Sequence, residues 1–333
     1  MGATIQPDRL LRELSELWVS FGKQEGDAST GVLRACAMTL VVVDDAKQDA
    51  ADVGETLATL MHDHPSRAIV VRVIDSESPE LEARVFAQCW MPQGHRRQIC
   101  CEQIEITSSN VSLTDLPAVM LPLVVADLPV ILWSRIPRLF ATPALNQLSR
   151  LATKTIIDSA AFPDAAAALR QMAGTSASGL VLGDLAWTRL TRWREQIAQI
   201  FENPCYSCDI WKIATVTISH PGETSPAGAR YMAAWIRGSL ERAGSRPEIR
   251  MEKADGQSDA GITRIEFSGA DPAALHVSMR KLDGSCAEVS VNSLVTRTVF
   301  PETSDYVLLR EELSISGRDP VFEAALAIAA KPE

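Results

Sequence analysis

The chain has 333 residues, 46% of them hydrophobic and 22% charged, which excludes general disorder and is long for a single core, so two domains are expected. Its 42 acidic and 32 basic side chains give a formal charge of -10, which argues against nucleic acid or an anionic membrane as the main partner. The first twelve residues hold no apolar signal core, and the longest apolar stretch, near Val119 to Trp133, is broken by Pro122, Asp127 and Pro129 before it reaches bilayer length. A cytoplasmic protein without a membrane partner is therefore expected. Seven scattered cysteines, an odd number in a large chain, read as reduced thiols and not as a disulfide framework.

Leu10, Leu11, Leu14, Leu17, Trp18 and Phe21 recur at helical spacing ahead of Gly22, so residues 1–31 read as an amphipathic helix and a polar connector. Residues 32–43 are rich in Leu and Val and read as a strand buried on both faces, as in a parallel sheet. A helical stretch at 49–64 and a β-branched strand at 68–75 complete a βαβ unit. Strands at 82–91 and 99–107 flank a polar turn at 93–97 and extend the sheet in antiparallel fashion. A helix at 113–125, a short strand at 129–133, a helix at 144–153, a strand end at 155–158 and an alanine-rich helix at 164–173 carry the alternation to a loop at 174–179. This is the rhythm of a three-layer α/β domain, expected over 32–203.

The most strongly patterned stretch follows. Asp184 stands after Gly183 as an N-cap, and Leu190, Trp193, Ile197 and Ile200 line one apolar stripe of a helix to Phe201, stopped by Asn203 and Pro204. Arg189, Arg192 and Arg194 occupy its other faces. Snorkelling arginines over a core helix are the commoner arrangement, although Trp and Arg also anchor protein interfaces. Beyond Pro204 the rhythm changes. A strand at 211–219 and a helix at 230–243 precede five strand candidates, at 248–253, 261–268, 274–282, 286–291 and 295–300, and helices at 304–314 and 319–330 close the chain. Strands without intervening helices favour an antiparallel sheet, so residues 209–333 are expected to form an α+β domain.

No GxxxxGK[ST], GxGxxG or GxSxG motif occurs, so no nucleotide cofactor and no catalytic nucleophile is expected. His62 and His64 lack a third metal ligand, and they lie where a helix gives way to a strand, opposite the edge where α/β proteins bind ligands. Arg67, in the same turn, has the chemistry to hold a phosphate or carboxylate. Cys205 and Cys208 have CxxC spacing without a second such pair, a weak redox or metal signal. Cys100 and Cys101, adjacent in a strand, point to opposite faces and are poorly placed to pair with each other. Asp44, at the end of the first core strand, is the best-placed acid for a ligand at the carboxyl edge, with Asp127 and Ser134 as companions.

Several segments in order resemble the glucose-6-phosphate dehydrogenase assembly protein (OpcA) family. They are RACAMTLVVV at 34–43, HPSRAI at 64–69, CEQIEI at 101–106, ADLPVILW at 126–133, IIDS at 156–159 and DLAWTRLTRWRE at 184–195. Ser134 follows Trp133 where such proteins often carry a second tryptophan. The resemblance implies a non-catalytic protein without cofactor or metal that binds glucose-6-phosphate dehydrogenase and promotes its assembly or activity in the oxidative pentose phosphate pathway. Trp133, Arg189 and Arg192 are the candidate contacts, since they flank the apolar motifs without all being needed by the helical stripe. The rival expectation is an enzyme or sensor that binds a sugar phosphate through Asp44, Asp127, Ser134 or Arg67.

Overall fold

The computed structural model describes residues 5–24, 32–91, 98–140, 142–256, 258–271, 274–282, 284–301 and 303–331. The chain forms two compact units, residues 1–157 with 180–183, and residues 158–179 with 184–333. The expected fold class is observed: a largely parallel sheet in the first and a mostly antiparallel sheet in the second.

The first unit opens with α1 (Pro7–Gln24), whose Leu10 and Leu14 are buried. The strand expected at 32–43 is two strands, β1 (Leu33–Arg34) and β2 (Met38–Asp45). They serve different neighbours. β1 pairs with the distant strand β5 (Ile99–Ser109), while β2 runs through the middle of the sheet, so residues 35–37 must carry the chain sideways. The connector and the turn at 93–97 fall outside the described residues, apart from the end of α1 and Val32.

α2 (Ala50–Asp63) starts where Asp49 accepts a 2.9 Å bond from the Ala51 amide, and it buries Val53, Leu57, Leu60 and Met61 on one helical face. Each of those fully buried side chains contributes about 1.5–3 kcal/mol. The chain continues through β3 (Ser66–Ile74) and β4 (Leu81–Trp90) to β5, then α3 (Leu116–Met120), β6 (Val130–Ser134), α4 (Pro143–Leu151), β7 (Lys154–Ile157) and β8 (Leu182–Asp184). The sheet order is β1-β5-β3-β2-β6-β7-β8, with β4 antiparallel on β5 as expected from the sequence. The apolar helix expected at 113–125 is instead a 3-10 turn at 110–115 followed by the five residues of α3, because Pro117 fits only the first turn of a helix and Pro122 ends it.

One expectation about cysteine is overturned. Cys89 and Cys100 face each other in the β4–β5 pair, with Cα atoms 4.1 Å apart, and are joined by a disulfide. The spacing that set Cys100 and Cys101 on opposite faces was correct, but the partner lay on the neighbouring strand. Closing a loop of this length, eleven residues in separation, restricts the unfolded chain by roughly 3 kcal/mol. A reducing agent is thus expected to lower the urea midpoint while preserving the circular dichroism spectrum. An unchanged midpoint would show that the bond adds nothing to stability.

The second unit begins with α5 (Ala165–Ala177), capped by Asp164, whose carboxylate accepts from the Ala167 amide at 2.9 Å. The single helix expected from Asp184 to Phe201 is broken into α6 (Leu185–Thr188) and α7 (Thr191–Glu202) at Arg189 and Leu190. α8 (Pro204–Ser207) follows, and then β9 (Ile213–His220), α9 (Ala227–Arg242), β10 (Glu248–Lys253), β11 (Arg264–Gly269), β12 (His276–Lys281), β13 (Cys286–Val291), β14 (Leu294–Val299), α10 (Asp305–Leu313) and α11 (Pro320–Ala329). The sheet order is β10-β9-β11-β12-β13-β14, antiparallel except for β10 on β9.

α5 packs on α9 and α11, so it belongs with the C-terminal elements. The expected boundary near 203–208 is therefore displaced, and residues 158–179 and 184–203 join the second unit. Gly228 in α9 shows how closely that helix is fitted: a Cβ there would lie 1.9 Å from the Ala260 carbonyl oxygen, an impossible approach for any other residue.

Candidate functional site

At the carboxyl edge of the first sheet, β2 ends on Asp44, which is 1% exposed. Its carboxylate meets two guanidinium groups: Arg72, from the register-matched position on β3, and Arg135, just after β6, at 3.2 Å. Burial pushes the Asp44 carboxyl above the ordinary carboxylate range, and the Arg135 and Arg72 charges offset part of that. Arg72 also donates to the carbonyls of Ala46 and Gln48, at 3.3 and 2.5 Å, and Arg135 reaches Asp52 of α2 at 2.5 Å. Next to them, Arg138 holds Asp45 at 2.7 Å. Burial opposes ionisation of Asp45, but the Lys47 amide and Arg138 hold its carboxyl below the ordinary range. Every charge named here is matched within the edge itself. The arrangement joins β2, β3, β6 and α2 at their ends.

Ser134 shares this edge, opposite Val43, and its buried hydroxyl has no hydrogen-bond partner among the described residues. Asp127 and Arg67 do not join it. Asp127 lies exposed in the turn before β6, with φ at 64°, and Arg67 lies at the start of β3, so both are at the amino edge. Arg67 is itself consumed. Its Nε donates to Glu102 at 2.6 Å and its guanidinium to the Leu123 carbonyl at 2.7 Å, while Trp18 and Arg34 complete the shell of Glu102, each at 2.6 Å. The four residues of the rival expectation therefore do not form one site, because a strand's two ends are separated by its length.

Trp133 is 1% exposed, which removes it as a surface anchor. Strand β6 is central, between β2 and β7, so its side chains are covered; the guanidinium carbon of Arg135 sits 5.2 Å from the Trp133 ring centroid.

The stretch from Asp184 organises the second unit. Asp184 is fully buried, and its Oδ1 accepts from the amides of Ala186 and Ser159, both at 2.9 Å, while Tyr231 Oη donates to Oδ2 at 2.7 Å. Burial pushes its carboxyl up to about 6, the nearby Asp158 charge adds to that, and the bonds from Ser159 and Tyr231 lower it. Arg189 turns inward in the break between α6 and α7 and grips Asp158 with two bonds of 2.8 and 2.7 Å, so it staples the chain and offers no free guanidinium. Arg194 lies over the Trp187 ring at 3.7 Å. Arg192 alone of the three expected contacts is exposed, its side chain 62% accessible and paired with Glu195 at 2.8 Å.

A further surface aromatic was missed by the sequence reading. Trp211, expected at the head of a strand, stands in a 3-10 turn before β9 with 64% of its surface exposed. Its Trp-Lys pairing was the available signal, since Lys212 lies beside the ring and such a pair is soluble on a surface.

These features define a two-unit chain whose α/β and α+β parts each build their own sheet. The sequence matches, in order, two domain profiles of one family: the glucose-6-phosphate dehydrogenase subunit N-terminal domain over residues 58–174 and its C-terminal domain over 181–326. The chain belongs to this glucose-6-phosphate dehydrogenase subunit family, OpcA. It is similar to proteins that carry the provisional name OxPP cycle protein OpcA. The Nostoc punctiforme relative is 28% identical over 214 residues, 62% of this chain and 43% of that protein. The Synechococcus elongatus relative is 23% identical over 291 residues, 75% of this chain and 64% of that protein. In both cases the chain spans less than two thirds of the relative's length. Among solved structures, a 3-ketoreductase from Actinomadura kijaniata aligns with a TM-score of 0.48 and 12% identity, over 88% of this chain and 95% of that one, a likeness too distant to inform fold or activity.

Proposed function

We propose that this protein is a non-catalytic assembly factor for glucose-6-phosphate dehydrogenase, acting in the oxidative pentose phosphate pathway. The observation that carries the reading is the ordered match to both domain profiles of the family, across residues from both compact units. Mechanistically, a factor of this kind must bind the active, assembled dehydrogenase more tightly than the inactive form, and a tenfold shift in population needs about 1.4 kcal/mol of differential affinity. An exposed Trp and Arg are suited to supply it, because a few such side chains dominate interface energetics. Trp211 and Arg192 are the surface-accessible candidates, in place of the buried Trp133 and the stapled Arg189.

The test mixes the purified chain with glucose-6-phosphate dehydrogenase and follows both its kinetics and its oligomeric state by size-exclusion chromatography. Wild-type protein is expected to raise the active assembled fraction with saturation. The double variant Arg192→Glu, Trp211→Ala is expected to need at least tenfold more protein for the same effect, with its melting temperature nearly unchanged, since exposed substitutions move stability by less than about 0.5 kcal/mol each. Dehydrogenase kinetics and assembly that stay constant under saturating wild-type protein refute the reading.

A further inference from the structure

The sheet of the second unit has two outer edges, β10 and β14, and the sequence treats them differently. β10 carries Glu248, Arg250, Glu252 and Lys253; Arg250 pairs with Glu248 at 2.6 Å, and Lys253 pairs with Glu223. Charges at this density keep a foreign strand from docking, since pairing would strip them of water. β14 reads LVTRTV over 294–299, with Arg297 as its single charge. Its Leu294, Val295 and Val299 are 59, 57 and 67% exposed, three large apolar side chains on one short strand. No proline or lysine guards it, and its register with β13 runs unbroken, so no bulge twists the edge away.

The free backbone groups of this edge have a defined direction. The Phe300 amide donates to the Ser285 carbonyl at 2.9 Å, and an antiparallel strand bonds one neighbour through alternate residues. Counting back from Phe300, Thr298, Thr296 and Leu294 face β13, so the N–H and C=O groups of Val295, Arg297 and Val299 point outward, where β14 meets no other strand among the described residues. The side chains of those three residues share one face of the sheet with Glu288. On that face Arg280, Glu288 and Arg297 form one cross-strand row over β12, β13 and β14, alternating in sign and stopping on a cation. Glu288 bonds Arg280 at 3.3 Å, and Arg297 has no ion pair among the described residues.

We propose that the outer edge of β14 receives an extended segment of a partner protein as an additional strand, paired antiparallel, with a carboxylate opposite Arg297 and β-branched apolar side chains opposite Val295 and Val299. A strand added in this way gains main-chain bonds from groups already held extended, and its alternate side chains select the sequence. The acid continues the alternating row, because opposite charges facing across strands attract and like charges repel. The same geometry disfavours a second copy of this chain. Residues 295–299 read VTRTV in either direction, so the register that sets Val295 against Val299 also sets Arg297 against Arg297.

The test titrates the full chain into fluorescently labelled peptides and follows their anisotropy. A peptide with the core VTETV between glycines is expected to bind saturably, roughly tenfold tighter than one with the core VTKTV. N-methylation of its central amide removes a main-chain donor and should weaken binding, which separates strand pairing from attraction by charge alone. Arg297→Glu changes an exposed side chain, so the melting temperature should stay nearly constant while the preference inverts and VTKTV becomes the tighter peptide. Sedimentation velocity of the chain without peptide should be the same for wild type and Val295→Lys. Absence of saturable VTETV binding, equal affinity for the two peptides, N-methylation without effect, or an unchanged preference in Arg297→Glu would each overturn the proposal. Self-association that Val295→Lys abolishes would overturn it too, by giving the edge to a second copy.

Discussion

Asp184→Ala is expected to cost the second unit about 3–5 kcal/mol, because three buried donors lose their acceptor at once. The Ala186 amide loses the cap of α6, and the Ser159 amide and Tyr231 hydroxyl are left unpaired in the interior. Asp184→Asn should behave quite differently. Its amide oxygen keeps both backbone bonds, and its nitrogen can donate to the Tyr231 oxygen, so the fold is retained. The pH dependence separates carboxylate from amide. The folded carboxyl titrates at about 6, above its ordinary 3.8, so the native state holds its proton more tightly than the unfolded chain does. The resulting stabilisation is fully present below pH 3.8 and is lost as pH rises to about 6, a total of about 3 kcal/mol. Urea unfolding of wild type and Asp184→Asn at steps from pH 4 to 7 measures this directly. The difference between the two curves should shrink in the wild type's disfavour as pH rises, and parallel curves would mean that Asp184 is not the buried acid described.

Asp44→Ala is expected to destabilise the first unit by about 3–5 kcal/mol, since removing one partner of a buried pair leaves the other charge uncompensated. Arg72 is the side chain that suffers, being 9% exposed, whereas Arg135 retains Asp52. Combining Asp44→Ala with Arg72→Met should recover most of that loss, because an apolar replacement of a buried ion pair is often close to neutral. A double-mutant cycle in urea gives the coupling. A loss below about 1 kcal/mol in Asp44→Ala would show the pair to be dispensable and reopen the carboxyl edge as a place for a ligand.

Most of the fold was legible because its signals are local. Asp184 caps a helix where a carboxylate after glycine announced one, and the strands at 248–253 and 286–291 were read to the residue, since alternation and turn residues bound them closely. What was missed depends on pairing and register that no local signal fixes. Nothing in Leu33 and Arg34 says that their neighbour is residue 99, and although 82–91 and 99–107 read as an antiparallel pair, only the register between them sets Cys100 opposite Cys89. The candidate contacts fared similarly. The stripe of α7 identified Arg192 as outward, but Arg189 sits in a helix break that only its bond to Asp158 explains, and Trp133 is hidden because β6 is central.

The division of the chain between its two units bears on how it can be made. Residues 158–179 enter the second unit, 180–183 return to the first, and the rest departs again, so no single cut frees either unit whole. Splitting the gene at residue 157 would strip β8 from its neighbour β7, and splitting at 184 would separate α5 from α9 and α11. The ribosome meets the same constraint in time. The first sheet cannot gain its last strand until residue 184 has emerged, and by then α5 is already exposed with Ala168, Leu169 and Met172 uncovered. They wait for α11, far further along the chain, and until it emerges this apolar face of α5 stays open to aggregation.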